Sequence, residues 1–473
     1  MTSRAEGWLA PALTLVIVLV GLRIVALWFA KADLFVDEAQ YWFWGQSLDF
    51  GYYSKPPLIA WVIRGMTDLV GSDAPFWVRL PAPILHGVTA LLLGALAARI
   101  AGRTVAVWTV ATYLTLPIVA VGSFLISTDT VMAPFLVGAL LAYLRVLRGG
   151  GAGWAVLSGA LFGLAMMGKY AGVYGLLGVA LAAVFLKAAR PGWVNGALVL
   201  LFALVFLGPN IWWNFANDLT TVEHTLDNVS WVREADPVSW NVLGLLGFLA
   251  GQLLVFGPIL LPAFIWACIR QGGWEGRWLA FLSLPVLLVV SGQALLAEAY
   301  GNWAFVAYLG GTILAVWFLL DRGAVLLGLS VAFNALVSTF IAIAPIVPDS
   351  LRWGDGDSLM ARYMGRDEVS LAILDLAEQE GLDVIVASNR DILADLFYTA
   401  RDSEVTIYAE SDGGRPDHFY EQTRAEPDDL GRHIRIVSRD PNCGVQIADL
   451  SPDEGAYAGD SILAYWVEGP CLP

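Results

Sequence analysis

The stretch LAPALTLVIVLVGLRIVALWFAKADLFVDEAQYW, residues 9–42, joins a long apolar run to a segment of acids and aromatic rings. The apolar part, residues 9–30, is long enough to cross a bilayer, because a spanning helix takes about 20 residues. It has no cleavage site of small residues at its end, so we interpret it as a true span and not as a signal peptide. The stretch therefore predicts a membrane protein with charged residues in its first loop.

The rest of the chain repeats this apolar pattern. Its 473 residues are 58% hydrophobic and 15% charged, and the mean hydropathy is +0.65. This composition is typical of an integral membrane protein. We predict eleven spans, at residues 9–30, 76–98, 104–121, 129–147, 154–168, 170–187, 193–212, 241–268, 278–296, 303–320 and 323–345. The predicted fold is therefore mainly α-helical and polytopic.

The basic residues of the short loops predict the orientation of the chain, because cytoplasmic loops are enriched in Lys and Arg. If Arg4 is cytoplasmic, the other basic loops fall on the same side: Arg99, Arg103, Arg145, Arg148, Lys187, Arg190, Arg270, Arg277 and Arg322. We therefore predict a multi-pass protein of the bacterial inner (plasma) membrane, surrounded by membrane lipids. Its N-terminus is predicted to be cytoplasmic, and the part after Pro345 is predicted to be extracytoplasmic, or periplasmic.

The net charge of −15 resides in the C-terminal part of the chain. Residues 346–473 contain 26 acidic and 10 basic residues, whereas the residues before them contain 16 acidic and 17 basic ones. Nucleic acids and anionic lipid surfaces are bound by positive charge, so no nucleic-acid partner is predicted. We divide the chain into a membrane domain, residues 1–345, with its first extracytoplasmic loop at 31–75, and a soluble extracytoplasmic domain, residues 346–473.

The acidic tail has the pattern of a small α/β domain. A helix capped by Asp367 and ended by Gly381 is predicted first. The next elements are a strand at 383–388, a helix at 389–400, and strands at 404–409, 434–437, 444–450 and 461–467. The tail has no Gly-rich phosphate loop, and nothing in it predicts catalysis. A disulfide between Cys443 and Cys471 is chemically permitted outside the cytoplasm, and the sequence leaves this pairing open.

Two of the predicted outer loops are long and aromatic. The loop at 31–75 contains PLIAWVIRGMTDLVG, residues 57–71, whose apolar spacing favours a helix that lies in the plane of the membrane interface. The second loop, around residues 213–240, carries tryptophans suited to the depth of the lipid headgroups, namely Trp212, Trp213 and Trp231. Together these loops could enclose a cavity that opens towards the lipid.

Asp37 and Glu38 are the first candidates for catalysis. Acidic residues at the end of a membrane helix are commonly just exposed to solvent and have no catalytic role. The first loop, however, surrounds this pair with rings, namely Tyr41, Trp42, Phe43, Trp44, Phe50, Tyr52 and Tyr53. Aromatic rings favour burial or a flat ligand. We therefore interpret Tyr41, Trp42, Tyr52 and Tyr53 as walls of a substrate pocket, and Asp37 and Glu38 as a general base or as metal ligands.

Two lysines are candidates for binding a phosphate. Lys55 precedes two prolines, which stiffen the chain around it. A lysine that snorkels to the surface is the alternative interpretation. Lys169 falls between the fifth and sixth predicted spans with almost no loop to solvate it. Because a charge placed so deeply is expensive, it is more often functional than incidental.

Four further polar residues are open to two interpretations each. Thr128 or Asp129 could cap the fourth span, and Asp129 could instead orient an acceptor or a metal. Arg79 could snorkel outward from the second span, whereas His86 in the same span fits a hydrogen-bonded core histidine better than a ligand. His224, next to Glu223 in the second long loop, is equally open. Asp129, Arg79 and His224 are kept as residues of the predicted pocket.

The order of the motifs along the chain resembles a known family. The motifs are DEAQYW, SKPPL, FWVRLPAPILHGV, STDT, GKYAG, WNFANDLTTVEH and GNWAFVAYLG. Their order is similar to that of the bacterial branch of the dolichyl-phosphate-mannose protein mannosyltransferase superfamily, which includes the aminoarabinose transferases that act on lipid A. The resemblance covers about residues 8–345. It implies the GT-C fold and an inverting transfer of a sugar from a polyprenyl-phosphate carrier on the extracytoplasmic face.

The resemblance also implies roles for single residues. Asp37 falls on the presumed base, and Lys55 and Lys169 fall on the lysines that hold the lipid phosphate. The chain departs from the aminoarabinose transferases at Ser54, where those enzymes have a Glu before the lysine. This removes one metal ligand, so no cofactor is assigned and a divalent cation is left open.

We predict from these observations an inverting glycosyltransferase, a hexosyl- or pentosyltransferase. Its partners are a polyprenyl-phosphate sugar donor and a hydroxyl or phosphate of a lipid, glycan or protein acceptor. The alternative is a transporter or flippase of lipid-linked sugars, which predicts broken helices and polar residues near the middle of the membrane in two related halves. A non-catalytic membrane anchor that displays the tail would leave the residues of the loops unexplained.

Overall fold

The computed structural model describes residues 7–228, 240–352, 354, 356, 358–411 and 413–469. The chain divides into two compact units. The first comprises Met1–Trp28, Asp49–Val62 and Arg79–Ala342. The second comprises Phe29–Leu48, Ile63–Val78 and Ile343–Pro473. Most of the first loop therefore folds with the C-terminal part of the chain.

In the described residues, seventeen α-helices precede the C-terminal α/β part of the chain. They are α1 Leu9–Trp28, α2 Val36–Gly45, α3 Leu58–Val70, α4 Pro75–Arg79, α5 Pro81–Ile100, α6 Arg103–Thr115, α7 Pro117–Phe124, α8 Thr128–Leu147, α9 Ala152–Gly168, α10 Val173–Phe185, α11 Trp193–Ala216, α12 Thr220–Asn228, α13 Val242–Val255, α14 Leu260–Arg270, α15 Gly273–Leu296, α16 Phe305–Leu320 and α17 Ala324–Ile343. The C-terminal elements are α18 Arg366–Glu380, β1 Val384–Ala387, α19 Arg390–Thr399, β2 Thr406–Ala409, α20 Phe419–Arg424, β3 Arg432–Val437, β4 Val445–Asp449 and β5 Leu463–Glu468.

Every predicted span coincides with helix. In the described part of the chain, seven helices are long and apolar enough to cross a membrane: α1, Pro75–Ile100, α8, α11, α15, Gly301–Leu320 and α17. The bent pairs α6 with α7 (57°) and α13 with α14 (100°) raise this number to nine if each pair is one span. The two remaining predicted spans are the shorter apolar helices Ala152–Gly168 and Tyr170–Phe185. The predicted polytopic, mainly α-helical fold is confirmed.

Small residues allow α9 and α11 to pack closely. A Cβ atom at Gly159 would lie 2.4 Å from the carbonyl oxygen of Val199, and one at Gly163 would lie 2.7 Å from the carbonyl oxygen of Ala203. The two glycines are four residues apart and therefore share one face of α9. This small-xxx-small spacing is a common device for helix contact in membranes, where dispersion contacts and not water expulsion hold helices together.

The break between α6 and α7 is stabilised by distant side chains. Pro117 begins α7, and proline disfavours helix in the residue before it. The last carbonyls of α6 therefore lack helical partners. Arg23 of α1 donates to the carbonyl of Leu114, and Ser338 of α17 donates to the carbonyl of Thr115 over 2.7 Å. Two helices, α1 and α17, thus fix the end of α6 at this break.

Several of the predicted cytoplasmic turns lie at one end of the first unit. Arg148 Nη2 donates to the carbonyl of Arg99 over 2.9 Å and lies 3.5 Å from Oε1 of Glu275. Gln271 Nε2 donates to Asp321 Oδ2 over 3.1 Å. These turns share one end, as the pattern of positive residues requires. The side of the membrane on which this end lies stays a prediction.

The C-terminal sheet is mixed, with the strand order β2-β1-β3-β5-β4. Strand β1 is parallel to β2 and β3, and β5 is antiparallel to β3 and β4. The predicted α/β character of the tail is confirmed. The predicted cap at Asp367 is wrong, because α18 begins at Arg366 with Gly365 at the N-cap, and Asp367 lies in the first turn. Gly381, with φ 67°, ends this helix as predicted.

The first loop contains more helix than its sequence predicted. Helix α3 matches the predicted amphipathic segment, whereas α2, which carries Asp37 and Glu38, was not predicted. In the second long loop, α11 continues to Ala216, and α12 follows it. Trp231 and Cys471 lie outside the described residues. The headgroup position of Trp231 and the pairing of Cys443 with Cys471 therefore stay predictions.

Candidate functional site

Asp37 and Glu38 open helix α2 and have different surroundings. Glu38 is 1% exposed, and its Oε2 accepts the backbone N–H of Phe35 over 3.0 Å. It thereby satisfies one of the N–H groups that a helix start leaves without a helical partner. The side chain of Asp37 is 47% exposed. Of the two acids, Asp37 is the one that a reactant can reach.

Arg390, at the start of α19 in the same unit, holds Asp37. Its Nη2 donates to Asp37 Oδ1 over 2.6 Å, and its Nε donates to Gln40 Oε1 over 2.9 Å. Burial lowers the pKa of the Arg390 guanidinium, but the carboxylates of Asp37 and Asp391 more than offset this, so the pKa lies above its usual value. The C-terminal part of the chain thus contributes directly to the surroundings of the predicted base.

Tyr41 and Trp42 are both buried within the second unit. Trp42 donates from Nε1 to Asp73 Oδ1 over 2.8 Å and meets the ring of Tyr398 edge-on, with 5.0 Å between centroids. The centroids of Tyr41 and Trp44 are 5.2 Å apart. These contacts fix α2 against its neighbours. A role of Tyr41 and Trp42 as walls of a sugar pocket stays a prediction.

In the first unit, the segment around Lys55 packs on α12. The ring centroids of Tyr53 and His224 are 4.9 Å apart, and Thr221 donates to the carbonyl of Tyr52 over 2.7 Å. Burial raises the pKa of Tyr52 to about 12, so its hydroxyl is neutral at physiological pH. The Tyr52 N–H donates to the Lys55 carbonyl over 3.2 Å, and Lys55 is partly buried. The structure therefore brings Tyr53 and His224 together, as two loops of one pocket would require.

Asp129 and Lys169 form an ion pair in the first unit. Lys169 Nζ donates to Asp129 Oδ2 over 2.7 Å, and Asn302 Nδ2 donates to the same oxygen over 3.1 Å. The side chains of Lys169 and Asp129 are 19% and 10% exposed. The cap of α8 is Ser127, whose side chain accepts the N–H of Thr130. Neither capping alternative for Thr128 or Asp129 holds, and Asp129 acts as the counter-ion of Lys169.

Arg79 and His86 lie in the second predicted span. Arg79 is 1% exposed and lies 4.9 Å from the centroid of Phe124, so it does not snorkel outward. His86 Nδ1 lies 2.9 Å from the hydroxyl of Tyr113, and its Nε2 lies 3.1 Å from Oγ1 of Thr130. With both ring nitrogens bonded, His86 is the hydrogen-bonded core histidine that the sequence favoured.

These groups can support a transfer reaction in two ways. An exposed carboxylate such as Asp37 can accept a proton from an attacking hydroxyl. Ammonium groups such as those of Lys55 and Lys169 can stabilise a phosphate anion. Among the described residues, no group of three or more His, Cys, Asp or Glu side chains is placed to hold a metal ion.

Sequence reasoning missed the residues whose partners are far away in the chain. Arg390 and Gln40 are separated by 350 residues, and Asn302 is 173 residues from Asp129. Arg23 stands inside the first predicted span, and its charge was the one signal that could have marked it, since charges in spans are rarely incidental. For Arg390, which lies in the predicted helix at 389–400, no local pattern indicated a partner in the first loop.

Comparison with known proteins adds two kinds of similarity. The family model of dolichyl-phosphate-mannose-protein mannosyltransferases matches residues 54–213. The lipid A galacturonosyltransferase RgtD of Rhizobium johnstonii is 43% identical over 459 residues, which are 95% of this chain and 96% of that protein. A match over 95% of the chain takes in most of the C-terminal part as well as the membrane helices.

Two solved structures share the fold. ArnT from Cupriavidus metallidurans bound to undecaprenyl phosphate has a TM-score of 0.68 at 15% identity, over 96% of this chain and 97% of that chain. The oligosaccharyltransferase AglB from Archaeoglobus fulgidus has a TM-score of 0.55 at 12% identity, over 92% of this chain and 70% of that chain. Likeness at such low identity concerns the fold alone.

The helices and the C-terminal sheet define a multi-pass membrane protein of the GT-C type. The chain belongs to the bacterial branch of the dolichyl-phosphate-mannose protein mannosyltransferase superfamily, together with RgtD. It is a glycosyltransferase, and the family predicted from the motifs is confirmed.

Proposed function

We propose that the protein transfers galacturonic acid from a polyprenyl-phosphate carrier to a hydroxyl group of lipid A, with inversion at the anomeric carbon. The observation that carries this proposal is the 43% identity with a lipid A galacturonosyltransferase over 95% of the chain. The donor is supported by the fold shared with ArnT, whose structure holds undecaprenyl phosphate.

Asp37 is the proposed general base. Its carboxylate is open to a reactant, and a carboxylate suits a hydroxyl acceptor, which must lose its proton as it attacks the anomeric carbon. A positioned base contributes about 10²- to 10⁴-fold to a rate. A phosphate acceptor is already ionised at neutral pH and needs no base, so a hydroxyl acceptor is favoured. Glu38 supports Asp37 by fixing the start of α2.

Lys55 and Lys169 are the proposed ligands of the donor phosphate. When the sugar leaves, the polyprenyl phosphate keeps the bonding electrons and departs as an anion, which ammonium groups stabilise. Lys169 donates one of the three N–H groups of its ammonium to Asp129. Because the donor is already activated, the reaction needs no loop that binds a nucleotide.

We further propose that the reaction takes place on the extracytoplasmic face of the bacterial inner membrane. The basis is the distribution of Lys and Arg over the short loops. Fusions of a periplasm-dependent reporter enzyme to Glu468 and to Arg148 test this orientation. We expect activity from the first fusion and none from the second, and the reverse result would contradict the proposed face.

The central experiment offers the purified full-length protein two donors in detergent, with lipid A as the acceptor. One donor is radiolabelled polyprenyl-phosphate galacturonic acid, and the other is the labelled nucleotide sugar. We expect label in lipid A from the first donor alone. Asp37→Asn should abolish this transfer at normal protein abundance. Asp68→Asn is the matched control, because it removes an exposed carboxylate from the same loop. Transfer from the nucleotide sugar alone, or full activity of Asp37→Asn, would contradict the proposal.

The transporter alternative makes a different prediction for the same protein. In the part of the chain that the structure describes, two helix pairs are bent, by 57° and 100°, but broken helices are not confined to transporters. In sealed vesicles without lipid A, a transporter would move labelled donor lipid between leaflets, whereas the proposed enzyme should leave its distribution unchanged.

A further inference from the structure

The N-terminal end of α19 presents Arg390 in a fixed position. Asn389 caps this helix, and its Oδ1 accepts the N–H groups of Asp391 and Ile392 over 2.7 and 3.3 Å. Such a cap fixes the backbone of the first helical turn. Arg390 is the first residue of the helix, so its side chain leaves from a rigid point and not from a free loop.

The guanidinium of Arg390 spans two residues on one face of α2. Asp37 and Gln40 are three residues apart and therefore neighbours on the helix surface. Nη2 bonds Asp37 and Nε bonds Gln40, and Gln40 is 2% exposed. The planar fork of an arginine makes two such bonds only in one orientation. The buried amide of Gln40 thereby sets the plane of the group that holds Asp37.

Aromatic packing keeps α19 against α2 around this contact. The ring centroids of Phe43 and Phe397 are 4.5 Å apart, and those of Trp42 and Tyr398 are 5.0 Å apart. The hydroxyl of Tyr398 also donates to the carbonyl of Asp73 over 2.6 Å. The two helices are therefore joined by rings, and their association does not depend on the ion pair alone.

The contact leaves Asp37 able to react. Within the described residues, Arg390 is the partner of Asp37 Oδ1, and the second carboxylate oxygen remains for the proton of an acceptor. An exposed ion pair adds about 0–1 kcal/mol to stability. With Asp37 half exposed, the pair is better suited to orienting the carboxylate than to holding the fold together.

We propose that Arg390, oriented by Gln40, is a positioning residue that directs the Asp37 carboxylate towards the acceptor. The C-terminal α/β part of the chain would then take part in catalysis, although nothing in its sequence predicted this. The inference rests on the proposed function, because it requires Asp37 to act on the acceptor.

The test compares variants of the full-length protein in the transfer assay with lipid-linked donor and lipid A. In Arg390→Ala, kcat should fall by about 10- to 100-fold, because a base displaced by about 1 Å can lose about 100-fold in rate. KM for the donor should stay unchanged. Added guanidinium ion should restore part of kcat by occupying the vacated space, and Arg390→Lys should retain more activity than Arg390→Ala.

Two further variants keep the test decisive. Arg352→Ala is the matched control, because it removes an exposed pair with Glu454 in the same unit, 3.2 Å long, and should leave kcat unchanged. Gln40→Met keeps an unbranched side chain in the helix but releases the guanidinium. It should also lower kcat, and it provides an independent test if Arg390→Ala fails to fold.

The outcomes separate this inference from the proposed function. Wild-type kcat in both Arg390→Ala and Gln40→Met, while Asp37→Asn is inactive, would overturn the inference alone. The inference would also be overturned if kcat fell together with thermal stability and added guanidinium did not restore it. Arg390 would then be only structural. Full activity of Asp37→Asn would overturn the role of the base itself.

Discussion

The ammonium of Lys169 and the carboxylate of Asp129 form a largely buried ion pair, with 2.7 Å between Nζ and Oδ2. Removing two charges from water is costly, and their attraction offsets this cost only while both are present. Asn302 adds a hydrogen bond to the same oxygen over 3.1 Å. The pair therefore carries a stability effect and a proposed binding role, which can be separated experimentally.

Removing one member of the pair should destabilise the protein more than removing both. Lys169→Met alone and Asp129→Asn alone should each lower the free energy of unfolding by about 3–5 kcal/mol, because each leaves a buried charge without its partner. The double variant Lys169→Met with Asp129→Leu should recover most of this loss. Thermal unfolding in detergent measures the effect, and Lys187→Met, at an exposed lysine, is the control.

The same double variant tests the role of Lys169 in donor binding. Its stability should return, whereas its affinity for polyprenyl-phosphate donor should remain lower than that of the wild type. Lys55→Ala should lower this affinity as well. Normal donor affinity in both variants would remove the lysines from the proposed phosphate site.

Arg23 should be essential for the break between α6 and α7. It donates to the carbonyl of Leu114 and, over 3.0 Å, to the hydroxyl of Ser123. Arg23→Leu would leave a buried carbonyl without a donor, which costs about 1–3 kcal/mol. Leu22→Ala is the control, because Leu22 is 62% exposed on the same helix. An unchanged unfolding midpoint for Arg23→Leu would show that the break does not need this contact.

Local pattern predicted the helices but not their interruptions or partners. All eleven apolar segments are helical because hydropathy is a property of each segment by itself. The segment 104–121, predicted as one span, bends by 57° at Pro117, and the carbonyls that this bend exposes are satisfied from α1 and α17. Such contacts depend on tertiary structure that one sequence does not contain.

The prediction of the candidate site from the sequence was limited in the same way. The motif order identified Asp37 and Glu38 together, but only the start of α2 distinguishes the exposed acid from the one that caps the helix. Arg390 approaches Asp37 across 353 residues of chain. No spacing rule reaches so far, whereas the lysines at short motifs were identified from their local setting.

Gly122 should be intolerant of a side chain because of His86. A Cβ atom at this position would lie 2.7 Å from Nε2 of His86, which bonds Thr130 over 3.1 Å. Gly122→Ala should therefore displace the ring and destabilise the protein by about 1–3 kcal/mol. Gly21→Ala is the matched control, because Gly21 is also helical and has open space around it. Equal unfolding midpoints for the two variants would contradict the tight fit.

Asp33 should make the stability of the second unit depend on pH. Its Oδ2 accepts the N–H of Arg366 over 2.9 Å. Burial raises the pKa of Asp33 from 3.8 to about 6, the N–H of Arg366 opposes this, and the carboxylate of Asp367 adds to it. The folded chain therefore binds this proton more tightly than the unfolded chain does.

The sign of the effect follows from this difference in proton binding. The stabilising contribution of Asp33 is complete below its unfolded pKa of 3.8 and is lost as pH rises through about 6. Asp33→Asn keeps a neutral acceptor for the N–H and cannot ionise. The variant should therefore gain stability over the wild type as pH rises from 4 to 6, with no further gain between 6 and 8.

Thermal unfolding across this range measures the difference, and Asp383→Asn, at an exposed carboxylate, should show no such trend. A difference that stays constant from pH 4 to pH 8 would mean that Asp33 does not titrate in this window.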